Sequence, residues 1–151
     1  MDFSLSKEQL MIQNMAREFA EKYILPVAQQ IEKENKIPDE ILEGLAELGL
    51  FGIAYPEEYG GAGGGYEGYA LAMEQISKVC GGVAMTISAH CMTLSTIMAF
   101  GTEEQKKKYM TPGCKGEHIL SVAFTEPSTG SDPKQLTSTA VKYGDKYIIN
   151  G

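Results

Sequence analysis

Apolar residues Ile12, Met15, Ala16, Phe19, Ala20 and Tyr23 recur at alternating spacings of three and one, the signature of one face of an α-helix. Upstream, Leu5-Ser6-Lys7-Glu8-Gln9-Leu10 reads as a helix start: Ser6 caps the Gln9 amide, Gln9 reaches back, and Leu5 packs on Leu10. Pro26 suits the first turn of a second helix carrying Val27 and Ile31, which ends near Asn35, ahead of Pro38. A third helix has Asp39 as its cap, Ile41, Leu42, Leu45 and Leu48 on its apolar side, and Gly49 at the left-handed position past its end.

The period then fails. Residues 50–59 mix apolar, proline and acidic residues, and Gly60-Gly61-Ala62-Gly63-Gly64-Gly65 cannot hold regular structure, so a long loop is expected. A fourth helix over residues 66–79 turns Tyr69, Ala70, Met73 and Ile76 inward, and Gly81-Gly82 separates it from a fifth. Residues 83–100 of that fifth helix carry no charge. The stretch is slightly short for a bilayer span of about 20 residues, and burial on most sides of a globular core explains it better. Thr102-Glu103-Glu104-Gln105 repeats the capping box and opens a sixth helix that stops near Pro112-Gly113.

After Gly116 the pattern becomes β-like. Residues 119–124, 138–143 and 146–149 are short β-prone runs, the last two joined by Gly144-Asp145. The chain therefore reads as an all-helical domain over residues 1–115 and the opening of a β domain over residues 116–151.

Composition narrows the function classes. With 43% hydrophobic and 22% charged residues among 151, an ordinary globular core is available. Thirteen basic against twenty acidic side chains give a net charge of -7, which removes the general attraction a nucleic acid requires. Cys80, Cys91 and Cys114 form no CxxC pair and no His completes a metal set with them, so they read as free thiols of a reducing compartment rather than metal ligands. Met1 runs into Asp2, Ser4 and a charged helical pattern, without the basic and apolar regions of an export signal.

The segment richest in chemistry is Ala123-Phe124-Thr125-Glu126-Pro127-Ser128-Thr129-Gly130-Ser131-Asp132, where a β-prone run ends in small, hydroxylated and glycine residues. Such a run presents backbone amides and hydroxyls to an anionic group such as a pyrophosphate, or to the electron-rich edge of a flavin. The same residue types also make plain turns for local reasons.

The segment resembles the signature of the acyl-CoA dehydrogenase family, in which a small residue, an aliphatic one and Ser/Thr-Glu precede Gly-Ser-Asp. Pro56-Glu57-Glu58-Tyr59-Gly60-Gly61, Gly101-Thr102-Glu103-Glu104-Gln105-Lys106 and Tyr147-Ile148-Ile149-Asn150-Gly151 resemble other stretches of that family, so the similarity spans the chain. The resemblance implies a mainly α protein: an N-terminal six-helix domain followed by the first strands of a β-barrel-like middle domain. It also implies FAD as cofactor, an acyl-CoA as substrate, α,β-dehydrogenation as the reaction, and an electron-transfer flavoprotein as electron partner. A cytoplasmic homotetramer is the expected full-length form.

By position, Val122, Phe124 and Thr125 would meet the flavin ring, Gly130 and Ser131 its phosphate side, and Ser131 also the pantetheine arm. Leu94 and Met98 on the fifth helix are candidates for the acyl-pocket floor, with core packing as the competing explanation. In the family the catalytic base comes from a C-terminal domain, so no catalytic residue is assigned here, Glu126 included, and the 151 residues alone are expected to lack turnover. Asp132 reads more simply as a turn cap, and His90 as a hydrogen-bonded core or interface histidine. Gln135 stands where the signature prefers a small residue, and Val122 where many relatives carry an aromatic. An acyl-CoA oxidase or enoyl-CoA reductase of the same fold, or a helical interaction module without redox chemistry, are the other classes.

Overall fold

The computed structural model describes residues 4–151; Met1 and Asp2, part of the N-terminal reading above, lie outside the described residues. The chain divides into two compact units, a helical one reaching to Ser121 and a smaller one from Val122 to Gly151.

Helix α1 (Lys7–Phe19) begins with the expected reciprocal cap: the Gln9 amide donates to Ser6 Oγ at 3.1 Å, and the Ser6 amide donates to Gln9 Oε1 at 2.9 Å. Two orphan N–H groups of the first turn are thereby satisfied. The rod widens into a π turn at Ala20–Ile24 and tightens into a 3₁₀ turn at Leu25–Val27 before α2 (Ala28–Glu34). Ala20 and Ile24 are wholly buried, so the widened turn still faces the core. Asn35, at φ 50°, closes α2 in the left-handed region that Asn tolerates better than most residues.

Helix α3 (Asp39–Glu47) is capped by Pro38, not by Asp39. Pro38 is extended, and its carbonyl accepts from the amides of Ile41 and Leu42, which places Asp39 one residue inside. There its negative charge favours the positive end of the helix dipole without a side-chain bond. Gly49, at φ +68°, ends the helix as expected, and the Leu50 amide reaches the Leu45 carbonyl at 2.9 Å.

The loop from Leu50 to Gly64 has one 3₁₀ turn, Glu57–Tyr59, yet it supplies Leu50, Phe51, Ile53, Tyr55 and Tyr59 to the core. Buried backbone must find partners, and here the glycine run provides them. The amides of Ala62, Gly63 and Gly64 donate to the carbonyls of Gly52, Tyr55 and Ile53 at 2.8–3.0 Å. A Cβ on Gly61 would lie 2.1 Å from the Tyr55 carbonyl oxygen, so only glycine lets these two strands of loop touch. The Tyr55 hydroxyl donates to the Cys91 carbonyl and pairs with Ser95 Oγ at 2.8 Å, and burial raises its pKa. The Tyr59 hydroxyl donates to Glu103 at 2.8 Å, which pushes its own pKa up to about 12.

Helices α4 (Gly65–Val79) and α5 (Gly81–Phe100) are separated by Cys80 alone. The break was expected at Gly81-Gly82, but both glycines are helical; Cys80, extended at φ -151°, makes the turn. On α4 the buried face is Gly68, Ala72, Gln75 and Ile76, and Ala70 points to solvent because it lies outside that arc.

Helix α5 is long and apolar enough to cross a membrane by length and composition. In the helical unit it is buried on one side rather than most sides: Val83, Ala84, Ile87, His90, Cys91 and Leu94 face inward, whereas Met85, Met92 and Phe100 are exposed. Three of its threonines donate their hydroxyls four residues back, Thr86 to Gly82, Thr93 to Ala89 and Thr96 to Met92, at 3.0–3.3 Å.

Helix α6 (Glu103–Gln105) repeats the reciprocal cap through Thr102 and Gln105, then continues as a π turn (Lys106–Met110) and α7 (Thr111–Cys114). The second unit holds β1 (Thr139–Tyr143) and β2 (Lys146–Asn150), antiparallel, with Val141 opposite Ile148 and Gly144 at φ +62° in the turn. The strand expected over residues 119–124 is absent: Leu120 belongs to the helical unit, and the stretch after it has no neighbouring strand to pair with among the described residues. A β-prone sequence becomes a strand only when a ladder partner lies beside it.

Candidate functional site

In the smaller unit the signature segment folds as a tight hairpin. The Glu126 amide donates to the Thr129 carbonyl at 3.0 Å and the Thr129 amide returns to the Glu126 carbonyl at 3.1 Å, with Pro127 and Ser128 forming the turn. Asp132 caps the next 3₁₀ turn, Pro133–Gln135: its Oδ1 accepts from the Lys134 amide at 3.2 Å and its Oδ2 from Gln135 Nε2 at 3.0 Å. The turn-cap reading of Asp132 therefore holds, and its second carboxylate oxygen takes the Gln135 side chain.

The Glu126 carboxylate is the most heavily bonded side chain of this unit. Its Oε2 accepts from the amide and hydroxyl of Thr137, both at 2.8 Å, and its Oε1 from the amide (2.9 Å) and hydroxyl of Ser138. The hydroxyl of Ser138, the amide and hydroxyl of Thr137 and the amide of Ser138 hold its pKa down to about 2, because each of them bonds the ionised form. A carboxylate in that state is an anchor and a poor proton acceptor.

Val122, Phe124, Thr125, Gly130 and Ser131 are all exposed, and the backbone groups of residues 121–125 make no bond with the other described residues. A Cβ on Gly130 would meet nothing nearer than Thr125 Cγ2 at 3.9 Å, and the residue has no positive φ. The hairpin's own packing thus does not demand glycine at this position. A bare amide there is what a group approaching from outside requires. The donor set, a row of open amides with a threonine hydroxyl followed by a glycine and a serine, fits the polar edge of a flavin and its phosphates.

Within the helical unit, Leu94 is fully buried beside Gly113, and Met98 is partly buried against the core. Leu94 is thus a core residue, and the large solvent-facing apolar positions of α5 are Met85, Met92 and Phe100, which periodicity could not single out because every face of that helix is apolar. His90 is wholly buried, with Nε2 against the Gly113 carbonyl at 3.1 Å and Nδ1 accepting the Leu120 amide at 3.0 Å. An acceptor Nδ1 fixes the neutral tautomer with hydrogen on Nε2, and desolvation lowers its pKa. Burial pushes the Cys91 thiol up to about 12 and that of Cys114 up to about 11. No group of three or more metal-ligating side chains occurs among the described residues.

An open cleft of about 720 Å³ lies between α2 and the α4–α5 junction, lined among others by Ile31, Asn35, Cys80 and Thr86. It contains none of the cofactor-binding or substrate-binding residues that the resemblance implies.

Residues 6–117 match the family described as acyl-CoA dehydrogenase, N-terminal domain. The chain is 43% identical over 152 aligned residues to the short-chain-specific acyl-CoA dehydrogenase of Clostridium acetobutylicum, covering all of this chain and 40% of that protein. Among solved structures, butyryl-CoA dehydrogenase from Megasphaera elsdenii superposes with a TM-score of 0.92 at 35% identity, over all of this chain and 41% of its own. A chain in the structure of the electron transferring flavoprotein of Acidaminococcus fermentans superposes at 0.95 and 44% identity, over all of this chain and 40% of its own. The chain thus spans about 40% of the length of the curated relatives it matches.

Proposed function

The chain belongs to the acyl-CoA dehydrogenase family, and from that premise we propose that it supplies the helical wall and the flavin-facing loop of an FAD-dependent enzyme. The reaction is α,β-dehydrogenation of an acyl-CoA thioester. The observation that carries this reading is the open row of amides at residues 121–125, ending in the Thr125 hydroxyl and followed by an unobstructed Gly130. It occurs in a chain matching the C. acetobutylicum dehydrogenase along its whole length.

FAD, when bound, accepts the hydride that leaves the substrate β-carbon. The chain's own residues prepare for that. Backbone groups of Val122 and Phe124, with the Thr125 hydroxyl, would hold the polar edge of the ring. The bare amide of Gly130 and that of Ser131 receive phosphate oxygens, and the Ser131 hydroxyl turns to the pantetheine arm. On α5, Met98 lies against the acyl chain with Leu94 packed behind it, four residues back on the same face.

Removal of the α-proton requires a carboxylate whose pKa lies near the working pH. Glu126, held at about 2 by four donors, does not meet that need. The resemblance to the family implies a base from a C-terminal domain, so it is assigned to a residue outside these 151, and the isolated chain is expected to give no turnover. The electron partner is an electron-transfer flavoprotein, and the complete enzyme is a cytoplasmic homotetramer.

Anaerobic spectroscopy of the purified enzyme carrying this chain tests the proposal. Bound oxidised flavin that bleaches on addition of a short straight-chain acyl-CoA, with electrons recovered on an electron-transfer flavoprotein, is the expected result. Absence of flavin from the purified enzyme, or flavin that no acyl-CoA reduces, would overturn it. Oxygen consumption without need of the partner flavoprotein would replace the dehydrogenase with an oxidase.

A further inference from the structure

We propose that Glu126 is a positioning residue for the flavin site, joining the signature hairpin to the first strand so that the preceding Thr125 is held at a fixed angle. The inference rests on the function proposed above for its consequence, and on geometry alone for its cause.

Three connections meet at this residue. Its backbone closes the hairpin by the reciprocal pair with Thr129. Its peptide bond carries Thr125. Its side chain takes every donor of the Thr137-Ser138 dipeptide, one carboxylate oxygen serving both donors of Thr137 and the other both donors of Ser138. Ser138 immediately precedes β1, so the carboxylate fastens the hairpin to the start of the β-ladder across eleven and twelve residues of chain.

Only a side chain with two equivalent acceptor oxygens satisfies this arrangement. In glutamine one oxygen becomes an NH₂ group; the hydroxyl beside it can rotate to accept, but the backbone amide of that residue then faces a donor and loses its bond. Hydrogen bonds to charged groups are stronger than neutral ones, which makes the clamp stiff although it is exposed. All three ends of the clamp lie within the smaller unit, so the inference does not depend on how the two units are arranged.

The test uses Glu126→Gln and, separately, the double substitution Thr137→Val with Ser138→Ala, which removes the two hydroxyl donors and spares both amides. Hydrogen exchange is followed at the Thr137 and Ser138 amides in cofactor-free protein, and FAD affinity and the flavin absorption bands are measured in the enzyme carrying this chain. Glu126→Gln is expected to speed exchange at those two amides by about tenfold or more and to weaken FAD binding by about tenfold. It is also expected to shift the flavin bands, while exchange across α1 and α5 stays unchanged. The hydroxyl-free variant should show the same changes to a smaller extent, and the combined variant should be less than additive. Unchanged exchange at Thr137 and Ser138 in Glu126→Gln overturns the clamp itself. Faster exchange with unaltered FAD affinity and spectrum overturns the positioning role. If the unsubstituted enzyme holds no flavin, the proposed function fails, and the exchange measurement still judges the clamp.

Discussion

The Leu120 amide donates to His90 Nδ1 at 3.0 Å, so a wholly buried imidazole holds the residue that precedes the last one of the helical unit. With Nε2 against the Gly113 carbonyl, the ring bridges two places on the chain segment that follows α6. Protonation would put a second donor where an amide already donates.

Stability of the helical unit is therefore expected to depend on pH near neutrality. Because burial holds the folded pKa of His90 below the ordinary imidazole value of 6.5, the unfolded chain takes up the proton first. The stability is complete above that value and is lost as pH falls through the window between 6.5 and the lowered folded pKa. Urea titrations at stepped pH should show the midpoint dropping on the acid side of 6.5, and His90→Phe should remove that dependence. The same substitution leaves the Leu120 amide without its partner, while the Gly113 carbonyl keeps the Gly116 amide at 2.9 Å, at a cost of about 2 kcal/mol.

The three cysteines should separate by reactivity. Cys91 and Cys114 are buried, with thiols pushed up to about 12 and about 11, and the thiolate is the nucleophile. Alkylation of native protein at mildly alkaline pH, read by mass, is expected to modify Cys80 alone, and all three only after denaturation. Rapid native labelling of Cys91 would contradict the burial.

Two glycines should respond oppositely to alanine. At Gly61 the new Cβ would lie 2.1 Å from the Tyr55 carbonyl oxygen and 2.8 Å from that of Gly52, and backbone atoms cannot step aside. Gly61→Ala should cost about 3 kcal/mol or prevent folding. At Gly81 nothing lies within 4 Å, and Gly81→Ala should be neutral or stabilise by about 0.5 kcal/mol. Thermal melts of the two variants make the comparison.

Leu94 and Met92 divide packing from surface on α5. Leu94→Ala opens a cavity in the core and should cost about 3 kcal/mol, whereas Met92→Ala, at an exposed position, should change stability by less than about 0.5 kcal/mol. Denaturant midpoints decide between these expectations. A loss at Leu94 confined to substrate affinity, with the midpoint unmoved, would assign that residue to the pocket rather than the core.

What could be read from sequence follows the range of the interaction. The Ser6–Gln9 and Thr102–Gln105 caps, the end of α2 at Asn35 and the left-handed Gly49 depend on a few neighbouring residues, and each was legible. So was the β1–β2 pairing about Gly144. The placement of Ala70 was not, because one position on an apolar helix turns inward or outward according to what packs beside it. The π turns after Phe19 and Gln105 left no mark in the apolar period. A strand over residues 119–124 was expected from side-chain preference, but pairing is a property of two segments. Of the candidate site, the hairpin and the turn role of Asp132 followed from local residue types, while the Thr137-Ser138 partners of Glu126 lie too far along the chain for spacing to reveal.

The back-bonded threonines of α5 bear on how the outside of that helix is perceived. Thr86, Thr93 and Thr96 each have their hydroxyl donor bonded to a carbonyl of the preceding turn. That donor is spent inside the helix, and the polar letters in this stretch overstate its wettability. The helix is greasier than its spelling.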